Sequence, residues 1–304
     1  MCGLTVLKQF LLPASCAFVL SAGFSAGGGA EPAPAASEPA LRREVLQRAR
    51  PAIRDLLART EKETGLQVVF AALPSTNPVV ACSIYDTARN EARIQLREGW
   101  EDVDVAHELI HLRLDLAEQF AVLAWRRDVP HTDAVDAAFG RVQTYTKDEI
   151  VHARLLKLGF KLDGEILRPP LFDDLYVNAA RYLEAGNSRP DEGMAHLDRL
   201  GYGQLCRAAF LVQAELLLKN YRRELPPRRI AQAERFVRAF RAHRPEEAAS
   251  ADQVLSLFGK YDVQKASGQT EILRQWAALE RLDKFVGLSS YQKTAEGNFT
   301  LPFP

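Results

Sequence analysis

The sequence predicts an α+β fold, in which a small sheet and a long helix are followed by a helical C-terminal subdomain. Two observations indicate this class. Three short runs rich in β-branched residues lie between two segments whose apolar residues recur with helical spacing. Beyond Pro169 and Pro170 the chain continues as helical segments separated by glycine and proline. We therefore expect an N-terminal domain over residues 41–168 and a helical subdomain over residues 169–304.

The start of the chain is typical of an exported protein. Lys8 precedes a mostly apolar run over residues 10–24, and small residues follow near Ala26. We expect a signal peptide over residues 1–26, cleavage near Ala26 and a secreted or periplasmic location, in preference to a lipid on Cys16. Residues 27–40 contain only Gly, Ala, Pro, Ser and Glu, which predicts a flexible linker.

The predicted N-terminal elements follow in a simple order. A helix is expected over residues 41–62, and Gly65 ends it. Three strand candidates follow at residues 66–70, 79–85 and 92–96, with a turn at residues 86–90. The next helix carries an apolar stripe made of Val105, Leu109, Leu112 and Leu116.

The remaining predicted elements are mainly helices. Asp163 and Gly164 form the signature of a hairpin over residues 161–167. The helices are expected at residues 141–158, 172–185, 192–200, 203–222, 228–243, 250–260 and 270–285.

The charge balance limits the classes of partner. Lys plus Arg and Asp plus Glu each total 39, and removal of Lys8 with the signal peptide leaves 38 against 39, a net charge near minus one. Nucleic acid is not expected as a partner, because there is no basic excess to neutralise phosphates. No later segment is long and apolar enough to predict a stable membrane span after signal cleavage.

The cysteines permit one disulfide bond in the mature chain. Cys2 and Cys16 would be removed with the signal peptide, which leaves Cys82 and Cys206. In an oxidising compartment these two thiols can pair, and two separately buried cysteines are an equal alternative.

The segment HELIH, His107 to His111, carries the clearest chemistry in the sequence. Two histidines four residues apart on a helix lie one turn apart, so both imidazoles can bind one metal ion. Glu108 lies between them and is placed to accept a proton from a water molecule that the metal activates. The pattern therefore indicates metal-assisted hydrolysis.

On this motif, the first half of the chain resembles the HExxH zinc metallopeptidases, or zincins. The resemblance implies a Zn²⁺ cofactor, a peptide or protein substrate, and Glu108 as the general base. It also implies that an edge strand of the small sheet binds extended substrate, a role that falls on residues 94–96.

A third metal ligand is expected, because catalytic zinc usually has three protein ligands and a water molecule. Tyr145, Glu149 and His152 share one face of the predicted helix at residues 141–158. If that face meets the histidines, Glu149 is the third ligand, as in the gluzincins, and Tyr145 or His152 lies near the developing oxyanion. Asp148 and His152 remain competing ligands.

Three polar residues have two interpretations each. Asp104 and Asp115 can orient a metal-bound histidine. Asp104 can instead favour the start of its helix by its negative charge, and Asp115 can simply be solvated. His131 lies in a loop, where it is either a further catalytic histidine or part of a turn.

Two alternatives to a peptidase stay open. The first is a non-catalytic helical scaffold or binding protein with a vestigial HExxH motif. The second is a zinc amidase that acts on a cell-wall polymer. Metal analysis distinguishes the first alternative, and substrate profiling distinguishes the second.

Overall fold

The computed structural model describes residues 38–74, 80–185 and 208–304, and its fold is mixed α+β. The predicted signal peptide, most of the predicted linker, the predicted helix at residues 192–200 and Cys206 lie outside the described residues. The last three residues of the predicted linker belong instead to the first helix, α1 (Glu38–Arg48).

Two helices, rather than the single one predicted at residues 41–62, precede the sheet. α1 ends at Arg48, and α2 spans Pro51–Thr64. Pro51 explains the break, because proline has no backbone N–H and keeps the preceding Arg50 extended, with ψ 151°. Gly65 ends α2 as predicted, with φ 75° and its N–H on the carbonyl of Glu61.

The small sheet contains the three predicted strands, β1 (Val68–Ala72), β2 (Ala81–Asp86) and β3 (Glu91–Leu96). Their order is β1-β3-β2, with β1 parallel and β2 antiparallel to β3. The predicted turn is confirmed, since Asp86 Oδ1 accepts hydrogen bonds from the N–H groups of Ala88 and Arg89. The prediction that residues 94–96 form an edge is wrong, because β3 is the central strand. β1 and β2 are the edges.

Cys82 lies on β2 and is buried. Its thiol donates a hydrogen bond to Gln95 Oε1 at 3.3 Å. Its predicted partner is outside the described residues, so the Cys82–Cys206 bond stays a prediction.

The HELIH motif lies on α3 (Asp102–Leu112), which continues into a π-helical turn (Arg113–Ala117). α3 packs against β2, and the predicted apolar stripe is buried. The next helix, α4 (Asp133–Lys157), packs against α3 and begins eight residues before the predicted start at 141. Thr132 explains the earlier start, because its side chain accepts a hydrogen bond from the N–H of Val135.

The C-terminal part is mainly helical, as predicted. The hairpin predicted at residues 161–167 is reduced to one bridge between Asp163 and Leu167. The helical elements are α5 (Pro169–Phe172), a π-helical turn (Asp173–Asn178), α6 (Ala179–Ala185), α7 (Ala208–Asn220), a 3-10 turn (Arg222–Glu224), α8 (Pro227–His243), α9 (Pro245–Lys260), α10 (Ala266–Leu279) and a second 3-10 turn (Leu282–Lys284).

Two further strand pairs are absent from the sequence-based prediction. β4 (Val122–Trp125) pairs antiparallel with β5 (Val286–Ser289), and β6 (Gln292–Lys293) pairs antiparallel with β7 (Phe299–Thr300). β4 and β5 are far apart in the sequence, so their pairing depends on the packing of the helices between them.

Two large clusters of buried apolar residues form most of the core in the described part of the chain, and Leu73 and Cys82 form a small third one. One contains the three-stranded sheet, α1 to α3 and the part of α4 from Ile150 onwards. The other contains the part of α4 up to Tyr145, the C-terminal helices, β4 and β5. Because α4 belongs to both clusters, the predicted domain division after residue 168 does not coincide with the division of the core.

Within the three described ranges, no helix combines the length and the apolar character that are needed to cross a bilayer.

Candidate metal centre

α3 places the two histidines of the motif side by side. Nε2 of His107 and Nε2 of His111 are 3.0 Å apart, and their ring centroids are 4.7 Å apart. Only 5% of the His111 side chain is exposed, against 23% for His107. Both rings are therefore largely shielded from solvent, and His111 is the more deeply buried of the two.

Asp148 on α4 brings a carboxylate to this pair. Its Oδ1 lies 4.0 Å from His107 Nε2 and 3.8 Å from His111 Nε2. Oδ1 is buried, and it has no hydrogen-bond partner in the described part of the chain. A tetrahedral zinc ion keeps its ligand atoms about 3.4 Å apart, close to these separations. The three side chains thus form a possible metal-binding triad.

Glu149, the predicted third ligand, is not part of this triad. Its Oε2 accepts a hydrogen bond from Asn220 Nδ2 at 2.8 Å, and its side chain is buried. Burial raises the pKa of Glu149 to about 7, and the Asn220 hydrogen bond opposes this shift only in part. The rotation of α4 explains the correction, because Asp148 faces α3 while Glu149 bonds to the end of α7.

The shifted pKa values of His107 and Asp148 suit a metal ion. Burial lowers the pKa of His107 to about 3, and the neighbouring His111 adds to this effect. Burial acts to raise the pKa of Asp148, but the surrounding histidines outweigh it and hold that pKa below its ordinary value. Neutral imidazoles and an ionised carboxylate are the forms that bind metals.

Glu108, the predicted general base, is buried between α3 and the sheet. Its Oε2 accepts a hydrogen bond from the hydroxyl of Ser83 on β2 at 2.7 Å. Burial raises the pKa of the Glu108 carboxyl, while His111 and the hydrogen bonds from Ser83 act in the opposite direction. Glu108 therefore combines an increased affinity for a proton with a fixed orientation.

The open edge of β2 lies beside this carboxylate. Arg97 N donates to Val80 O at 2.8 Å, and hydrogen-bonded pairs alternate along an antiparallel ladder. Ser83, which is opposite Ile94, therefore belongs to a pair without ladder hydrogen bonds. Its C=O points away from β3, and so does its N–H, which donates to the Glu108 carboxylate. The sheet edge on this side is therefore β2 and not residues 94–96.

His152 and Tyr145, the predicted catalytic residues, line a small pocket that Asp148 and Glu149 also line. The pocket has room for about one water molecule. Burial lowers the pKa of His152, and its ring meets the edge of the Tyr221 ring at a centroid distance of 6.1 Å. The structure thus brings both residues close to the triad, and their catalytic roles stay predictions.

The other polar candidates have different partners. Asp104 Oδ2 accepts hydrogen bonds from Glu101 N at 2.8 Å and from Arg168 at 2.7 Å, which agrees with a role at the start of α3. Asp115 forms an ion pair with the buried Lys147. These two carboxylates therefore have partners other than the two histidines of the motif. The ring of His131 is exposed and stacks on Trp125 at 4.1 Å, as expected for a turn residue.

Comparisons with known proteins give no family for this chain. No protein-family model, no curated protein and no solved structure matches it significantly. Function is therefore argued from the residues of the site and their geometry.

Several residues around the site carry no signal in the sequence. Ser83 and Asn220 contact Glu108 and Glu149 only because distant elements pack together. Asp148 does carry a local signal, since it lies three residues after Tyr145 and four before His152. By this spacing, Asp148 lies as close as Glu149 to the helical face that Tyr145 and His152 share.

Proposed function

We propose that this protein is a zinc-dependent hydrolase that cleaves peptide bonds, with His107, His111 and Asp148 as the metal ligands and Glu108 as the proton acceptor. One observation carries the proposal. A buried carboxylate oxygen of Asp148, without a hydrogen-bond partner among the described residues, faces two imidazole nitrogens at 3.8 and 4.0 Å. A buried carboxylate needs compensation for its lost hydration, and a metal ion held by these three groups would supply it.

The number of ligands favours a catalytic site over a structural one. Structural zinc sites usually have four protein ligands, whereas the possible triad in the described residues has three. A zinc ion held by three ligands would keep an open position and lower the pKa of a water molecule towards neutrality.

Glu108 has the properties of a proton acceptor. Its raised pKa makes its carboxylate a stronger base than an exposed glutamate. The hydroxyl of Ser83 donates to Oε2 and so orients the carboxylate that would take the proton. Glu108 would later return this proton to the leaving amine.

The edge of β2 supports a peptide as substrate. The N–H of Ser83 donates to the carboxylate of Glu108, and its outward C=O can accept a hydrogen bond from an extended chain, which is how peptides add to an exposed sheet edge. A peptide bound in this way would pass the carboxylate of Glu108, because Ser83 contacts that carboxylate.

The test uses the full chain, its zinc content and a peptide library analysed by mass spectrometry. We expect about one zinc ion per wild-type chain and hydrolysis that a chelator abolishes and zinc restores. Glu108→Gln should keep zinc and lose at least about 100-fold in rate, because it removes the proton acceptor and no ligand. Glu98→Gln, at an exposed position, is the matched control and should retain both properties.

Each other outcome contradicts a defined part of the proposal. A wild-type chain without zinc contradicts the metal site and favours a non-catalytic scaffold. Full turnover in Glu108→Gln contradicts the assigned base. Hydrolysis of a cell-wall polymer but of no peptide contradicts the peptidase and favours the amidase.

A further inference from the structure

Side chains from other elements form hydrogen bonds with the main chain of α4 at Glu149, the residue next to the proposed ligand Asp148. The carbonyl oxygen of Glu149 accepts hydrogen bonds from the hydroxyl of Tyr221 at 3.0 Å and from Nε2 of Gln264 at 3.1 Å. Its carboxylate accepts the hydrogen bond from Asn220. We call Asn220, Tyr221 and Gln264 the Glu149 anchor.

The anchor comes from two separate places in the C-terminal half. Asn220 is the last residue of α7, and Tyr221 follows it with a buried side chain. Gln264 lies in the loop between α9 and α10, where its N–H donates to Asp262 Oδ1 at 3.1 Å. These elements approach α4 on the side of Glu149, whereas α3 carries the histidines on the side of Asp148.

The loop that carries Gln264 is itself closely fixed. A Cβ atom at Gly268 on α10 would lie 2.1 Å from the carbonyl oxygen of Asp262, so only glycine permits this approach. The position of Gln264 relative to α4 is therefore defined by packing as well as by its hydrogen bond.

The rotation of α4 decides which carboxylate faces the histidines. Consecutive residues of an α-helix are about 100° apart around its axis, so a partial turn of α4 would move Asp148 away and bring Glu149 closer. Contacts at Glu149 resist this turn directly, because they hold both its main chain and its side chain.

We propose that Asn220, Tyr221 and Gln264 are positioning residues for the metal site, which fix the rotation of α4 so that Asp148 meets His107 and His111. This inference rests on the proposed metal site. It adds that the helical half of the chain contributes to the geometry of a ligand on α4.

The test measures zinc affinity by competition with a chelator. Tyr221→Phe removes one hydroxyl and keeps the ring beside His152, and Gln264→Ala removes the second donor. We expect the double variant to bind zinc about 10-fold more weakly, the lower end of the effect of residues that orient metal ligands. Gln275→Ala is the control. It removes a similar hydrogen bond from a side-chain amide, the one to the Tyr261 hydroxyl at 2.7 Å, and this bond does not involve Glu149.

A double-mutant cycle separates positioning from general destabilisation. If the anchor acts through Asp148, the same two substitutions have no further effect on the weaker zinc binding by His107 and His111 in an Asp148→Ala background, titrated directly without a chelator. An equal loss in both backgrounds, or no loss in either, overturns the anchor while the metal site stands. A wild-type chain that binds no zinc overturns both inferences.

Discussion

Asp148 and Glu149 show how one position along a helix determines the chemistry of a site. Around α4 these two residues are about 100° apart, and the face shared by Tyr145 and His152 lies between them. Local spacing therefore favours neither. α3 lies on the side of Asp148 and the end of α7 lies on the side of Glu149, so one carboxylate faces imidazoles and the other an amide.

This difference predicts opposite effects of two conservative substitutions. Asp148→Asn should lose zinc, because it removes the ionised ligand, whereas Glu149→Gln should keep zinc, because an amide oxygen can still accept the Asn220 hydrogen bond. The measurement is zinc per chain after dialysis against a weak chelator. Retention of zinc by Asp148→Asn together with its loss from Glu149→Gln would restore Glu149 as the ligand.

At the scale of elements, two ion pairs connect α4 to the segment after α3, one to the π-helical turn and one to the residue that follows this turn. Lys147, which is fully buried, pairs with Asp115. Arg154 binds both carboxylate oxygens of Glu118, each at 2.6 Å. These pairs connect the two helices that carry His107, His111 and Asp148, so they stabilise the approach of one helix to the other.

The Arg154–Glu118 pair predicts a loss of stability in acid. Burial acts to raise the pKa of Glu118, but the hydrogen bond from Arg154 outweighs it and holds that pKa below its ordinary value. Because the folded pKa is the lower one, the contribution is complete above the unfolded pKa of about 4.3 and is lost as the pH falls through the folded pKa.

Thermal unfolding of Glu118→Gln measures this contribution. At pH 7 the variant should unfold about 2 °C below the wild type, as expected for a pair worth about 1 kcal/mol. At pH 3 the difference should become smaller. Glu98→Gln should show no difference at either pH. A gap between wild type and Glu118→Gln that is the same at both pH values would contradict the assignment.

At the scale of the whole molecule, the C-terminal tail returns to the N-terminal sheet. Phe299 is buried, and its ring meets that of Tyr85 on β2 edge to face at 5.6 Å. The N–H of Phe299 also donates to the Tyr85 hydroxyl at 2.9 Å. The tail therefore belongs to the same core cluster as the edge strand beside Glu108.

Two phenylalanines of the tail provide a matched test of this packing. Phe299→Ala should lower the free energy of unfolding by about 3–5 kcal/mol, because it leaves a cavity in the core. Phe303, with 62% of its surface exposed, should tolerate alanine within about 0.5 kcal/mol. Unfolding in urea gives both values. Equal effects of the two substitutions would show that the tail does not contribute to the core as described.

The sequence by itself determined the features that depend on neighbouring residues. Gly65 ends its helix, residues 86–90 form the predicted turn, and the pairing of two histidines on α3 follows from their spacing of four. Each of these depends on backbone conformations and helical geometry that a few consecutive residues define. Pro51 belongs to the same class, and the break that it causes was predictable.

Only the tertiary structure decided which of the candidate groups meet. It placed Asp148 rather than Glu149 beside the two histidines, made β2 rather than β3 the edge beside α3, paired β4 with β5 and packed Phe299 against Tyr85. Residue spacing defines the faces of a helix or strand, but it does not define which face a distant element covers. That choice follows from the packing of the two core clusters on α4, to which residues far apart in the sequence contribute together.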